Sequence, residues 1–201
     1  MDDRIRRSWE DFLNPNVMRP RLISASIYIA GFELLRDSII GRIRSFFLNG
    51  FNEHGDIIDP KYESDVLSRN KSPLYASLDW LKEMHAIDDS DISTLEDIKK
   101  CRNHLAHQLY SVLGEQGLPS DFEQCFRDMV ALLHKIELWW IVNVEITINP
   151  DFEGKEINET EILAGPVMGI QLLCDIALGS DERSRYYYEE FRKRSKKEGN
   201  N

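Results

Sequence analysis

The feature that most constrains this chain is a run of apolar residues that recur at spacings of three and four. The run follows Pro20, which can occupy the first turn of a helix, and it ends near Asn49 and Gly50. Its members are Tyr28, Phe32, Leu35, Ile39, Ile43 and Phe46. Because 3.6 residues complete one helical turn, these side chains share one face, and the pattern predicts a long amphipathic α-helix.

Two shorter helices are predicted after this one. The polar segment 52–59 contains Gly55 and is typical of a loop. Asp59-Pro60 and Ser72-Pro73 each place a capping residue before a proline, an arrangement that favours a helix start. We expect the second of these helices to end near Ile87.

The acidic cluster 88–91 predicts the start of another helix, since it supplies a cap and negative charge at the positive end of the helix dipole. Gly114 and Gly117 are expected to end this helix. Its apolar stripe consists of Ile98, Cys101, Leu105, Leu109 and Val112. A further helical pattern runs from Pro119 to about Val144, and Gly165-Pro166 opens a last apolar helix.

The sequence therefore predicts an all-α fold, a bundle of five or six helices that forms a single domain over residues 1–178. From 179 to 201 the composition changes to closely spaced arginines, lysines and tyrosines, which predicts a basic, flexible tail. This tail is either a solvated, frayed helix end or an arm that grips RNA through tyrosines and arginines.

Composition argues against three classes of protein: non-specific nucleic-acid binders, membrane-spanning proteins and secreted proteins. The net charge of −10 opposes non-specific binding to nucleic acid, so a nucleic acid substrate would have to be engaged locally. The longest apolar stretch, 22–48, contains five charged residues, and the N-terminus lacks the apolar block of a secretory signal. We therefore expect a cytoplasmic protein without a membrane span.

Cys101, Cys125 and Cys174 lie far apart without a CxxC spacing, and each falls in an apolar helical pattern. This placement favours reduced thiols that pack as small hydrophobes over a disulfide framework or a zinc site. His104 and His107 are spaced like a metal-binding pair, but no third ligand accompanies them in sequence. We expect neither a metal nor another cofactor.

The segment 99–110 contains the candidate catalytic residues. When it is wound at about 100° per residue, a polar face extends from about 40° to 140° from Arg102. The residues of this face are Ala106, Lys99, Tyr110, Asn103, Glu96 and His107. Arg102 flanks the apolar stripe, and its side chain is long enough to reach around Ala106 toward His107.

An arginine and a histidine on one surface suit the cleavage of RNA without a metal. A histidine that titrates near neutrality can accept the proton of a ribose hydroxyl, and an arginine can hold a phosphate and stabilise its developing charge. A structural alternative remains open, in which Arg102, Asn103 and His107 form a hydrogen-bond network at a helix interface.

Arg102-Asn103-x-x-x-His107 resembles the signature of the HEPN superfamily (higher eukaryotes and prokaryotes nucleotide-binding), an arginine followed after four to six residues by a histidine. The resemblance covers roughly residues 20–145. It implies an all-α ribonuclease of the kind found in toxin–antitoxin, phage-defence and abortive-infection systems. In such proteins two protomers bring their motifs into one cleft, and an antitoxin or regulatory protein restrains them. We therefore expect a homodimer, for which the apolar face of residues 22–48, together with Trp139 and Trp140, offers a surface.

The resemblance implies that Arg102 and His107 are catalytic, with Asn103, Tyr110 and Glu33 in supporting roles. Glu33 lies where acidic residues accompany some HEPN sites, although an ion pair of Glu33 with Arg36 on the same helix, or with a neighbouring helix, would explain it equally well. In one HEPN subgroup a tyrosine comes two residues after the histidine, whereas Tyr110 comes three residues after His107. The competing hypothesis is a non-catalytic HEPN-like helical dimer that binds a partner protein or a nucleotide.

Overall fold

Most of the chain is α-helical, as the sequence predicts, and the helices surround one central helix, α2. The computed structural model describes residues 3–198, so that residues 1, 2 and 199–201 of the predicted domain and tail lie outside the described part. In chain order the elements are α1 (Asp3–Leu13), α2 (Pro15–Phe46), β1 (Leu48–Asn52), β2 (Gly55–Ile58), α3 (Pro73–Glu83), α4 (Asp89–His107), α5 (Leu109–Ser111), α6 (Phe122–Trp140), α7 (Ile146–Ile148), α8 (Gly165–Leu178) and α9 (Asp181–Glu198).

Helix α2 begins at Pro15, earlier than predicted, because the Asn14 side chain caps it by accepting a hydrogen bond from the Asn16 backbone N–H at 3.0 Å. Pro20 therefore lies inside the helix. The predicted stripe is buried from Tyr28 to Ile43, whereas its last member, Phe46, is 52% exposed. Helix α2 contacts α3, α4, α6 and α8.

The segment between α2 and α3 differs from the prediction. Residues 52–59, expected to be a loop, belong largely to an antiparallel hairpin in which β1 pairs with β2. The short helix predicted after Asp59-Pro60 is a π-helical turn over Tyr62–Val66 followed by a 3₁₀ turn. Helix α3 ends at Glu83 rather than near Ile87, because His85 has a φ of 58°, which breaks the helix.

The predicted cap of α4 is confirmed. The Asp88 carboxylate accepts hydrogen bonds from the backbone N–H groups of Ser90 and Asp91, at 2.8 and 3.1 Å. The Asp91 carboxylate in turn accepts from the Asp88 N–H at 2.9 Å, which completes a capping box. The hydrogen bond from the Asp91 backbone, followed by that from Lys135, holds the pKa of Asp88 below its usual value.

Helix α8 is largely apolar, with Asp175 as its one charged residue, yet Ile170 is its only buried residue. By length and composition alone, the segment Glu159–Leu178 is long and apolar enough to cross a membrane, with a mean hydropathy of 1.6 over a window that is 17% buried. The α-helix within it has 14 residues and spans about 21 Å. Its exposed apolar side chains include Met168, Leu173 and Ile176.

A buried carboxylate connects α2 to α6. Glu137, 1% exposed, accepts a hydrogen bond from the Ser38 hydroxyl at 2.5 Å and forms an ion pair with the Arg42 guanidinium. Arg42 also pairs with Glu145, which lies in the π-helical turn that extends α6 beyond the predicted end near Val144. Because each charged group in this network has a partner of opposite charge, the network fixes the rotation of α6 against α2.

We expect Glu137→Ala to lower the free energy of unfolding by about 3 kcal/mol, since it leaves Ser38 and Arg42 without their buried acceptor. Urea denaturation followed by circular dichroism measures the change. Glu123→Ala is the control, because Glu123 lies on the same helix and its side chain is 87% exposed. Equal midpoints for the two variants would contradict a stabilising role for Glu137.

Candidate functional site

Arg102 connects α4 to α2. One terminal nitrogen of its guanidinium, Nη2, donates to Glu33 Oε1 at 3.0 Å, and the other, Nη1, donates to Asn103 Oδ1 at 3.3 Å. The guanidinium carbon lies 5.3 Å from the centroid of the Phe32 ring, so the cation rests over an aromatic face. These contacts fix the Arg102 head group at the surface of α2, with its side chain 29% exposed.

Glu33 is shared between two arginines. The sequence left open whether Glu33 pairs with Arg36 on its own helix or with a residue on a neighbouring helix, and it does both. Its Oε2 atom lies 3.4 Å from Arg36 Nη1, while Oε1 accepts from Arg102. Two guanidinium groups therefore share one carboxylate at the edge where α2 meets α4.

His107 is the last residue of α4, and its side chain is exposed. No hydrogen bond or ion pair of His107 occurs among residues 3–198. An offset of five residues separates Arg102 and His107 by about 140° around the helix and about 7.5 Å along it. The Arg102 side chain runs toward α2 rather than around Ala106, so the two candidate catalytic groups do not touch within one chain.

The helix that carries the motif ends earlier than predicted. Gln108 has a φ of −119° and a ψ of 23°, which ends α4 before α5 and a π-helical turn over Val112–Gln116 complete the segment. Tyr110 therefore lies in the short helix α5, 76% exposed, and its ring centroid is 5.7 Å from that of Phe12 on α1. Tyr110 thus contacts α1 rather than Arg102.

The predicted polar face of α4 divides into two parts. Near its middle, Lys99 donates to the Tyr75 hydroxyl of α3 at 2.6 Å, and that hydroxyl donates to Glu96. These three side chains form a contact between helices and are already paired. Toward the C-terminal end, Ala106 and His107 are exposed, and only this part of the face is open to a ligand.

The Arg102 guanidinium has N–H donors that are not used within residues 3–198 and that an anion could accept from. A guanidinium carries five N–H donors, of which Asn103 and Glu33 each receive one. The Nε atom is buried without a partner in the described part of the chain. Two N–H groups, one on each terminal nitrogen, remain for the oxygens of a phosphate.

The potential metal ligands of the described residues are scattered, and two of the cysteine thiols are buried. Within positions 3–198, no group of three or more His, Cys, Asp or Glu side chains could hold a metal ion. Cys101 and Cys125 are buried in the core, as predicted for small hydrophobes. Burial raises the pKa of the Cys101 thiol and raises that of Cys125 to about 12, so both stay protonated near neutrality.

The predicted basic tail contains a helix, α9, that packs on α8. Tyr187 donates to the Asp175 carboxylate at 2.8 Å, and this hydrogen bond raises the pKa of the Tyr187 hydroxyl. Arg183 forms an ion pair with the same carboxylate at 2.8 Å. Part of the tyrosine and arginine content of the tail is therefore engaged within the chain.

Sequence reasoning did not identify Phe32 as the ring beneath Arg102, nor the contribution of α1. The spacing of Ile5, Trp9 and Phe12 is helical, and Asn14 before a proline marks the start of α2. These signals could have predicted α1, but no sequence pattern indicates that it packs beside Tyr110.

We expect Arg102→Ala to lower the free energy of unfolding by about 1 kcal/mol, because it removes an interhelical ion pair and a cation–π contact. His107→Ala should change it by less than about 0.5 kcal/mol, since His107 is exposed. Arg127→Ala is the control for loss of an exposed arginine, 62% exposed on α6. Thermal unfolding followed by circular dichroism compares the variants, and a large loss of helical signal in His107→Ala would contradict its placement.

Comparisons with known proteins add no independent assignment. Neither protein-family models, nor curated proteins, nor solved structures match this chain. Any function for the Arg102 and His107 region therefore depends on the geometry of the chain's own residues.

Proposed function

We propose that this protein is a metal-independent endoribonuclease of HEPN type, which acts as a toxin or phage-defence effector. The observation that carries the proposal is the Arg102 guanidinium, fixed by Glu33, Asn103 and Phe32 with two free donors, on the same helix as the exposed His107. A bound phosphate and a nearby proton acceptor are the minimum equipment for attack by a ribose 2′-hydroxyl.

In this reaction the 2′-oxygen attacks the adjacent phosphorus while the bond from phosphorus to the 5′-oxygen breaks. His107 accepts the 2′-hydroxyl proton, and Arg102 holds the non-bridging oxygens as negative charge accumulates on them. Asn103 and Glu33 are positioning residues, because they fix the guanidinium that meets the phosphate. The products are a 2′,3′-cyclic phosphate and a free 5′-hydroxyl.

The departing 5′-oxygen needs a proton, and one His107 cannot act as base and acid in the same step. We assign the acid to His107 of a second copy of the chain, which makes the site composite. Most of the surface predicted to pair the copies is not available, because the stripe of α2 from Tyr28 to Ile43 and the side chain of Trp140 are buried within the chain. A composite site instead requires contact between the exposed C-terminal ends of the two α4 helices.

The apolar face of α8 does not meet this requirement. Gly31 of α2 lies against Met129 and Ile170 of α6 and α8, whereas Glu33, about 200° around α2 from Gly31, faces Arg102. Helix α8 therefore packs on the side of α2 away from the candidate site. Association through α8 alone would keep the two motifs apart.

A non-catalytic helical dimer that binds a partner protein or a nucleotide is the second candidate function. The ion pair of Arg102 with Glu33 favours it, because both side chains already have partners that join α2 to α4. In that case Arg102 has a structural role and His107 is an ordinary surface residue. Cleavage of RNA that requires His107 separates the two functions.

We expect the purified protein to cleave single-stranded RNA in excess EDTA and to leave a 2′,3′-cyclic phosphate on the upstream fragment. His107→Ala and Arg102→Ala should each lower the rate by about 100-fold or more, since loss of a general base or a charge clamp costs factors of this size. Mass spectrometry of the fragments identifies the termini. His54→Ala is the control, because His54 is exposed on the hairpin away from α4.

RNA with a 2′-O-methyl group at the cut position should resist cleavage, because the nucleophile is blocked. Cutting of such RNA, or activity that is lost in EDTA and regained with magnesium, would reject the mechanism. Equal activity of wild type and His107→Ala would reject the assignment of the base.

If the site is composite, the cleavage rate should depend on the proportion of wild-type and His107→Ala chains in a mixture. When wild-type and His107→Ala chains are mixed equally and allowed to exchange, about a quarter of the dimers contain two wild-type chains. The cleavage rate should then fall to about a quarter of the wild-type value rather than a half. Light scattering checks that the protein is a dimer, and a rate of one half or a monomer that cleaves would exclude the composite mechanism.

A further inference from the structure

A cleft with aromatic walls lies beside the end of the motif helix. It has a volume of about 240 Å³ and is formed between α1 and the turn that follows α4. Its lining residues are Ser8, Trp9, Phe12, Tyr110, Ser111 and Gly114. Tyr110 in its wall follows His107 by three residues, so the cleft lies near the C-terminal end of α4.

Three rings form the apolar part of this cleft. Phe12 is half-buried, and its ring centroid lies 6.0 Å from that of Trp9 in an edge-to-face arrangement and 5.7 Å from that of Tyr110. Trp9 is 52% exposed and Tyr110 is 76% exposed. Phe12 therefore supports two rings that remain largely exposed to solvent, so that together they offer an aromatic surface on which a planar ligand could stack.

The cleft is held in shape by Arg21 of α2. Its guanidinium donates to the Asp11 carboxylate of α1 at 2.9 Å and to the backbone carbonyls of Leu113 and Gly114, both at 3.3 Å. One side chain thus joins α1, α2 and the turn after α4. Because the walls are tied together, the rings are positioned before a ligand binds, which lowers the entropy cost of binding.

The polar groups of the cleft fit a nucleobase. Ser8 and Ser111 supply hydroxyls at the edge of the aromatic surface, where they can donate to or accept from the ring atoms of a base.

We propose that Trp9 and Tyr110 form a stacking subsite for an unpaired base of the RNA substrate, next to the nucleotide that is cut. This inference rests on the proposed function for its choice of RNA. Aromatic side chains stack on any base, so the subsite selects single-stranded over duplex RNA rather than a particular sequence. The stacked base holds the neighbouring phosphate near His107.

The test measures binding of a short, fully 2′-O-methylated single-stranded RNA by fluorescence anisotropy, so that no cleavage intervenes. Trp9→Ala and Tyr110→Ala should each weaken binding roughly 5- to 100-fold, as expected for loss of one stacking ring, whereas Trp9→Phe and Tyr110→Phe should stay near wild type. Phe51→Ala is the matched control, since Phe51 is 83% exposed on the distant hairpin. An RNA that lacks its bases should bind wild type and Trp9→Ala equally weakly.

Each outcome separates this subsite from the proposed function. Ring-dependent binding without cleavage would support the subsite and reject the ribonuclease. Cleavage with unchanged binding in both alanine variants would overturn the subsite and leave the ribonuclease intact. The subsite would also be overturned if Trp9→Ala converted a dimer to a monomer, or if a free mononucleotide bound as tightly as the RNA.

Discussion

The burial of one face of α2 is the constraint on which the rest of the structure depends. Tyr28, Leu35, Ile39 and Ile43 are fully buried on that face, and α3, α4, α6 and α8 all pack on α2. The Tyr28 hydroxyl donates to the Ile98 carbonyl of α4 at 3.0 Å, which fixes α4 beside α2. Because both helices are held by core contacts, side chains at their shared edge meet at defined positions.

Arg102 is one of those edge residues, and its environment follows from the crossing of α4 and α2. Phe32 is buried in the core and presents its ring to the guanidinium, while Glu33, the next residue, emerges toward the solvent and pairs with it. The arginine is therefore oriented by an apolar and a charged contact from consecutive residues. A guanidinium fixed in this way loses less conformational entropy when it binds a phosphate.

The same packing sets the local charge around Arg102. The charge of −10 belongs to the whole chain, whereas the guanidinium groups of Arg36 and Arg102 share the single carboxylate of Glu33. Salt screens the distant acidic residues over about 10 Å, so the local charges dominate at short range. The placement of a few arginines, rather than the net charge, decides which ligands this region can accept.

The sequence by itself determined the helical class, the buried stripe of α2, the cap of α4 at Asp88 and the identity of Arg102 and His107 as candidates, because periodicity and capping are local properties. The tertiary structure decided what local patterns do not contain. It ended α4 at Gln108, turned Arg102 toward Glu33 instead of His107, buried the face of α2 that was expected to pair two copies, and placed α1 against Tyr110. Each of these depends on which surfaces meet when the helices pack, and contacts between residues far apart in sequence leave no periodic signal.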